Sequence, residues 1–370
     1  MANRPPRPVS TPQEITNPGR ELRVVAIGGG TGLAMLLRGL KRYVKTASEL
    51  AAQKHSSFAS HQPVISDLCA IVAVSDDGGS SGRLRKELHM LPPGDVRNCI
   101  VALSEDEDLL ANLFQHRFQK GTGLEGHSFG NLFLAALTSI TKDFGEAVRL
   151  SSEILATRGH IYPATASDVQ LEALMDDGRR VLGETKITAS HGKIQELFLI
   201  PSDVVPLPQT LAAIERADLI TVGPGSLFTS LIPNVLVRGI AQAIANSPAK
   251  KAYVCNLMTQ ANESLGLTAA DHIRALNRHA QVKQLFDYAL INWAPPSHNM
   301  KAKYALEGAT QIVADLDAIE DLGVIPVQGD YLIEDTVVRH ATNRVAEDLL
   351  GLVYSPVKNV EVSQGRSTTA

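Results

Sequence analysis

Cysteine is scarce in this chain of 370 residues: only Cys69, Cys99 and Cys255 are present. They are widely spaced, odd in number and never form a Cys-x-x-Cys pair. That argues against a disulfide framework or a cysteine zinc site and favours buried thiols in a reducing compartment. Long apolar runs are missing as well. No stretch approaches the roughly 18 apolar residues that would span a bilayer. Arg4 and Arg7 near the N-terminus have no apolar core after them, so they do not form a secretory signal. The cytoplasm is the expected compartment. Excess positive charge is missing too. The formal net charge is −4, so no global basic field draws the chain to nucleic acid or anionic lipid. No internal repeat is evident.

What is there resembles an ordinary soluble protein, 44% hydrophobic and 20% charged. Its length suits one large domain or two, with a sizeable core. Residues 1–20, rich in Pro, Ser and Thr, read as a flexible leader, and 358–370 as a flexible tail. Order is expected over 21–357. The run Leu22–Ile27 is a buried-strand pattern that stops at Gly28, and Leu33, Leu36, Leu37 and Leu40 follow at helical spacing. Residues 45–62 are polar and small and suit a surface loop or a weak helical insert. Ala70–Val74 is a second strand, and 95–158 is mostly helical, with Leu132–Leu137 apolar all round as in a central, buried helix. Alternation at Val169, Leu171 and Ala173, a turn at Asp176-Asp177-Gly178, then Val181, Ile194, Leu197 and Leu199 mark a β-rich insertion at about 164–201. Strands at Asp218–Val222, Ala252–Cys255 and Ala289–Asn292 then alternate with helices at 226–246 (a break at Pro233), 268–280 and 340–352. This rhythm predicts a Rossmann-like, three-layer αβα domain with a mostly parallel sheet. Ligands on such sheets sit at the carboxyl ends of the strands.

The candidate site residues fall at those ends. Gly28-Gly29-Gly30-Thr31-Gly32 leaves a strand and opens a helix. Glycines let amides approach an anion, and a helix N-terminus favours negative charge. Neither the dinucleotide fingerprint nor the Walker ending is matched, since Leu33 stands where the last fingerprint glycine belongs. The same residues also suit a plain tight turn. Gly223-Pro224-Gly225-Ser226 repeats the arrangement, with Ser226 placed to cap a helix. The densest polar cluster is Asp76-Asp77-Gly78-Gly79-Ser80-Ser81-Gly82-Arg83. Its two carboxylates can serve as catalytic groups, hold Mg²⁺ or accept from hydroxyls. Gly79, Ser80 and Ser81 offer donors, and Arg83 can pair with phosphate. In Pro93-Gly94-Asp95-Val96-Arg97-Asn98, Asp95 is placed as an N-cap, and Arg97 and Asn98 lie in the first turn, open to a ligand. Gly126-His127-Ser128-Phe129-Gly130 has the spacing of a hydrolase nucleophile elbow, but no strand precedes the serine, so a hydrolase is rejected. His127, Ser128 and Asn131 read instead as a further ligand-facing helix start or a capped helix.

Together these segments, with Cys255-Asn256-Leu257-Met258-Thr259-Gln260, resemble the 2-phospho-L-lactate transferase and gluconeogenesis-factor family, with its CofD and YvcK branches, over about residues 22–350. The run Gly79–Arg85 resembles the YvcK branch. The resemblance implies a Rossmann-like core with a smaller subdomain, often a homodimer. For the YvcK branch it implies binding of a nucleotide sugar such as UDP-N-acetylglucosamine, growth on gluconeogenic carbon, cell shape and a regulatory partner at the cell envelope. For the CofD branch it implies Mg²⁺-dependent transfer of a phospholactyl group from a guanylated diphosphate to a deazaflavin alcohol. His160-Ile161-Tyr162 departs from the Arg-Val-Leu-like lead expected before Pro163, and the insert at 45–62 is longer than expected for the family.

Overall fold

The computed structural model describes residues 20–46, 48–50, 63–105 and 107–354. Residues 1–19 of the leader expected over 1–20, most of the insert and the tail lie outside them. Seven strands form the central sheet: β1 (Glu21–Gly28), β2 (Val64–Val72), β3 (His160–Pro163), β7 (Leu219–Val222), β8 (Lys250–Val254), β9 (Tyr288–Asn292) and β10 (Ile325–Gly329). Their spatial order is β10-β9-β8-β7-β1-β2-β3, and every pair is parallel. The expected Rossmann-like αβα architecture is present. β1 and β7 read as unbroken apolar runs because helices cover both faces of the sheet; Val24, Ala26, Ile27, Leu219 and Ile220 are all buried.

Helices Gly30–Lys41 and Gly94–Leu103 pack together on one face, and Phe144–Ile154 lies beside them. Pro208–Arg216 and Ile240–Asn246 pack together on the other, as right-handed crossovers in opposite directions require. The β-rich insertion is a three-stranded antiparallel sheet of β4 (Gln170–Met175), β5 (Arg180–Leu182) and β6 (Ile194–Ile200), with the short helix Glu184–Ala189 between β5 and β6. A two-stranded ribbon, β11 (Leu332–Glu334) and β12 (Val338–His340), follows the last sheet strand.

Three expectations need correction. β2 begins at Val64 rather than Ala70, because Ser66 and Asp67 extend it before the wholly apolar stretch. The helix Phe129–Thr141 is not central: it packs on Glu107–Gln115 and Phe144–Ile154 near the sheet's edge, so Ala136 and Ser139 face solvent and Ile140 is 76% exposed. The break in 226–246 is not at Pro233. The chain forms a π-helical turn at Leu227–Leu231, then a helix Ile232–Leu236 whose first turn accepts Pro233 without losing a hydrogen bond. The interruption comes at Val237–Gly239, where Gly239 takes φ +94°. β3 and β10, which no sequence pattern marked, complete the two edges. All three cysteines are free and buried. Among the described residues no single helix is long and apolar enough to cross a membrane.

Candidate functional site

The strand order reverses between β1 and β7, so the loops after these neighbours diverge and leave a crevice at their carboxyl ends. Both loops are the glycine-rich ones. Gly30 takes φ +64° and Gly223 φ +87°, conformations costly for side chains with a Cβ. The loops touch: a Cβ on Gly32 would lie 2.4 Å from the Pro224 carbonyl oxygen. The helix Gly30–Lys41 starts with no side-chain cap. Asp95 accepts the Gly30 N–H. Among the described residues nothing accepts from Thr31 and Gly32, which lie exposed and half-exposed at this helix start.

On the β7 side two amides are already spent, and one of them is Gly223 N, which donates to Ile27 O at 3.0 Å. Gly225 N donates to Asn256 Oδ1 at 3.1 Å, and Asn256 Nδ2 returns a bond of 2.7 Å to Gly225 O. Ser226 holds the N-cap position but caps nothing; its hydroxyl accepts from Gln260 Nε2 at 2.9 Å. Glu263 caps the turn instead, accepting from Phe228 N at 2.8 Å and Thr229 N at 3.0 Å. Gly223 and Gly225 therefore offer no free N–H to an anion, whereas among the described residues nothing accepts from Ser226 N.

The loop after β2 supplies the third wall. Asp76 Oδ1 accepts from Gly78 N at 2.9 Å, and its Oδ2 makes no hydrogen bond among the described residues. Asp77 Oδ1 accepts from Thr185 N at 2.8 Å and Thr185 Oγ1 at 2.6 Å, which clasps the insertion to the core. Asn262 Nδ2 donates to Thr188 O at 3.2 Å and ties the same short helix to the β8 side. The helix Glu184–Ala189 thus bridges the crevice and carries Glu184 over it. Five carboxylates converge there. Burial, then Asp76, Asp95, Asp77 and Glu263, pushes the Glu184 carboxyl up to about 9. Burial chiefly, against the Gly30 N–H bond, and with Asp76 pushing the same way, raises Asp95 to about 6. Burial also raises Glu263, against its backbone bonds.

A basic and hydroxyl-rich corner lies beside them. Ser80 Oγ meets His127 Nδ1 at 2.9 Å and accepts from Asn131 Nδ2 at 3.0 Å. Arg97 reaches Ser128 Oγ at 2.6 Å, Asn131 Oδ1 at 3.0 Å and Asn98 Oδ1 at 2.8 Å. Arg83 donates to Glu125 O at 2.7 Å. Burial, helped by Arg83, lowers His127, so its ring is neutral at pH 7. Asp95 is not the N-cap of its helix; Pro93 is, and Asp95 points from the first turn into the crevice. Ser128 is fully buried, caps Phe129–Thr141 and accepts from Arg97, which bears out the rejection of a nucleophile there.

So Gly29, Gly30, Thr31, Gly32, Asp76, Asp77, Asp95, Gly225, Ser226 and Asn256 frame one crevice. Gly79, Ser80, Ser81, Arg83, Arg97, Asn98, His127, Ser128 and Asn131 form the adjoining corner. Sequence reasoning missed Glu184 and Glu263, which stand in no recognisable motif, and His340, whose Nε2 lies 3.0 Å from Cys255 O beside Asn256. No three described His, Cys, Asp or Glu side chains gather closely enough to hold a metal alone.

Fold and site together define a Rossmann-like protein whose glycine-rich loops meet at the sheet's switch point. The chain belongs to the 2-phospho-L-lactate transferase CofD family, whose model matches residues 24–332. It is 47% identical over 332 residues to a protein of Halalkalibacterium halodurans named "Gluconeogenesis factor", covering 90% of this chain and 96% of that one. It is 45% identical over 336 residues to the Bacillus subtilis protein of the same name, covering 90% and 99% respectively. A crystal structure from Bacillus halodurans, described as a member of the UPF0052 family, matches with a TM-score of 0.81 at 46% identity, over 90% of this chain and 99% of that one.

Proposed function

We propose that this protein is a cytoplasmic gluconeogenesis factor that binds a UDP-sugar, of the UDP-N-acetylglucosamine type, and regulates carbon use and the cell envelope without turning the ligand over. The observation that carries this reading is the uncapped helix start at Thr31 and Gly32, two free amides at the switch point of a parallel sheet. Diphosphate oxygens meet those amides, while Asp76 and the Asn256 side face ribose or sugar hydroxyls. The names of the relatives support the regulatory role. The reading includes a homodimer and a regulatory protein partner at the envelope.

The carboxylates add a condition. A diphosphate entering beside the carboxylates of Asp76, Asp77 and Asp95 meets like charge, so a divalent cation is needed to offset it. Oxygen donors suit Mg²⁺, which is commonly held by one or two carboxylates together with substrate phosphates. Asp76, with Oδ2 open, is the first candidate ligand, and Asp77 the second. Such a cation would supply charge neutralisation only.

The same carboxylates favour a second reading: transfer of a phospholactyl-type group from an activated nucleoside diphosphate to an acceptor alcohol, as the family's description suggests. Calorimetric titration with UDP-N-acetylglucosamine and with GDP, each with and without Mg²⁺, separates the two. Saturable UDP-sugar binding that leaves the ligand intact by chromatography supports the factor. Absence of heat with the UDP-sugar sinks it, and preference for GDP with Mg²⁺ moves the assignment to the transferase.

A further inference from the structure

A cavity lies away from the crevice, at the sheet's outer edge. It is a slot of about 680 Å³ between the helix Phe144–Ile154 and the start of Pro208–Arg216, floored by β3. The two helices cover opposite faces of the sheet and run past its last strand, so the slot occupies the place where an eighth strand would lie. The register fixes what β3 offers there. Ala164 N donates to Val72 O, so residues in step with it, Tyr162 and His160, turn their main-chain groups toward β2. Ile161 and Pro163 turn theirs outward. Ile161 therefore presents an N–H and a C=O to the slot, and Pro163 a C=O alone.

The walls carry a charge preference. Asp143, Glu146 and Glu153 line the slot with one cation, Arg149. Arg149 is already clasped by Glu146 and Glu153. The surplus is acidic. A second copy of β3 would bring the same carboxylates face to face, and two prolines lacking N–H into one ladder, so self-pairing is disfavoured.

We propose that this slot docks an extended segment of another protein, one bearing lysine or arginine, which adds to the sheet beside β3. Main-chain bonds to Ile161 and Pro163 hold the strand, and the carboxylates of Glu146 and Glu153 select its basic side chains. This surface is independent of the nucleotide reading, and its test uses no nucleotide.

The probe is a fluorescein-labelled peptide of alternating valine and lysine, followed by anisotropy on the full chain at about 0.15 M salt, where weak surface attraction is screened. Saturable binding is expected, and none of the corresponding valine–glutamate peptide. Glu146→Lys and Glu153→Lys, both at exposed positions, should each weaken the lysine peptide about tenfold or more, whereas Glu320→Lys, on a helix at the far edge, should not. Methylating alternate amide nitrogens of the peptide should abolish binding while leaving its charge. Retained affinity after either perturbation overturns the proposal, as does flat anisotropy with the unmodified peptide. Sedimentation showing that Glu153→Lys splits a dimer would place a second copy in the slot and overturn it as well.

Discussion

Gly32→Ala is the sharpest test of the idea that the two glycine loops form one surface. The added methyl would stand 2.4 Å from Pro224 O and 2.9 Å from its carbonyl carbon. Both are main-chain atoms of the opposite loop, held by the two bonds between Asn256 and Gly225. They cannot swing aside as a side-chain tip can. Overpacking costs about 1–3 kcal/mol, and rigid main chain on both sides places this case near the top of that range. With unfolding entropy of about 2.1 cal/mol/K per residue, a domain of this length shifts by about 1.5 °C per kcal/mol, so the melting point should fall by about 3–5 °C. Gly30→Ala makes the contrast. There φ is +64° but the nearest atom to a Cβ is Ser230 Oγ at 3.7 Å. Its cost is conformational, about 1–2 kcal/mol, so its melting point should fall less. Scanning calorimetry measures both falls, and titration with the UDP-sugar measures the opened crevice in Gly32→Ala. A Gly32→Ala protein that melts within about 1 °C of the parent, or melts above Gly30→Ala, would refute the close contact and the shared surface with it.

Other perturbations test the walls. The Glu184 carboxyl is held up at about 9, chiefly by burial and then by its acidic neighbours, against about 4.3 in an unfolded chain. Folded protein therefore keeps the proton longer, and the stability this gives is full below about pH 4 and lost as pH rises toward 9. Glu184→Gln, which preserves the neutral form, should melt with the parent near pH 4.5 and increasingly above it from pH 5 to 9; a gap that does not widen with pH refutes the placement. Asp77→Asn weakens the clasp on Thr185, so hydrogen exchange should quicken in Glu184–Ala189 while β1 and β2 stay protected; equal loosening of the sheet would deny Asp77 this local role. Arg97→Lys should not rescue Arg97→Ala in melting temperature, because a single ammonium cannot match a guanidinium fork that holds Ser128, Asn131 and Asn98; full rescue would mean only the charge mattered.

The parts of this fold that announce themselves in the sequence are those where local chemistry and tertiary role coincide. β1 and β7 are buried on both faces and end in glycine, so composition alone marks the strand, its end and the loop with the free amides. The alternation from Val169 to Leu199 marks the insertion for the same reason, since one face of its sheet is buried: Leu171, Ala173, Met175, Leu197 and Leu199 all point inward. Partnerships between distant segments leave no such mark. Asp95 has the right residue type and position for an N-cap, and only the approach of Gly30, far away in the chain, turns it into the crevice. Ser226 likewise has a capping sequence, yet Glu263 takes the role. Glu184 is one acidic residue in an ordinary amphipathic stretch until Asp77 and Asn262 pull its helix across the switch point.

The edge strand shows the limit from the other side. His160-Ile161-Tyr162-Pro163 is short and closes on a proline, two features that argue against a strand in mid-sheet. Both are tolerated at an edge, where an outward-facing residue needs no N–H partner. This same segment is the one where the resemblance led to the expectation of a different lead into Pro163. A departure at the crevice would weaken the functional reading, because the proposed ligand must meet the residues there. β3 lies two strands from the switch point, with β2 between it and β1, so change there leaves the crevice intact and alters only what the sheet presents to a neighbour. The departure therefore weighs on the docking slot, and the crevice reading stands without His160.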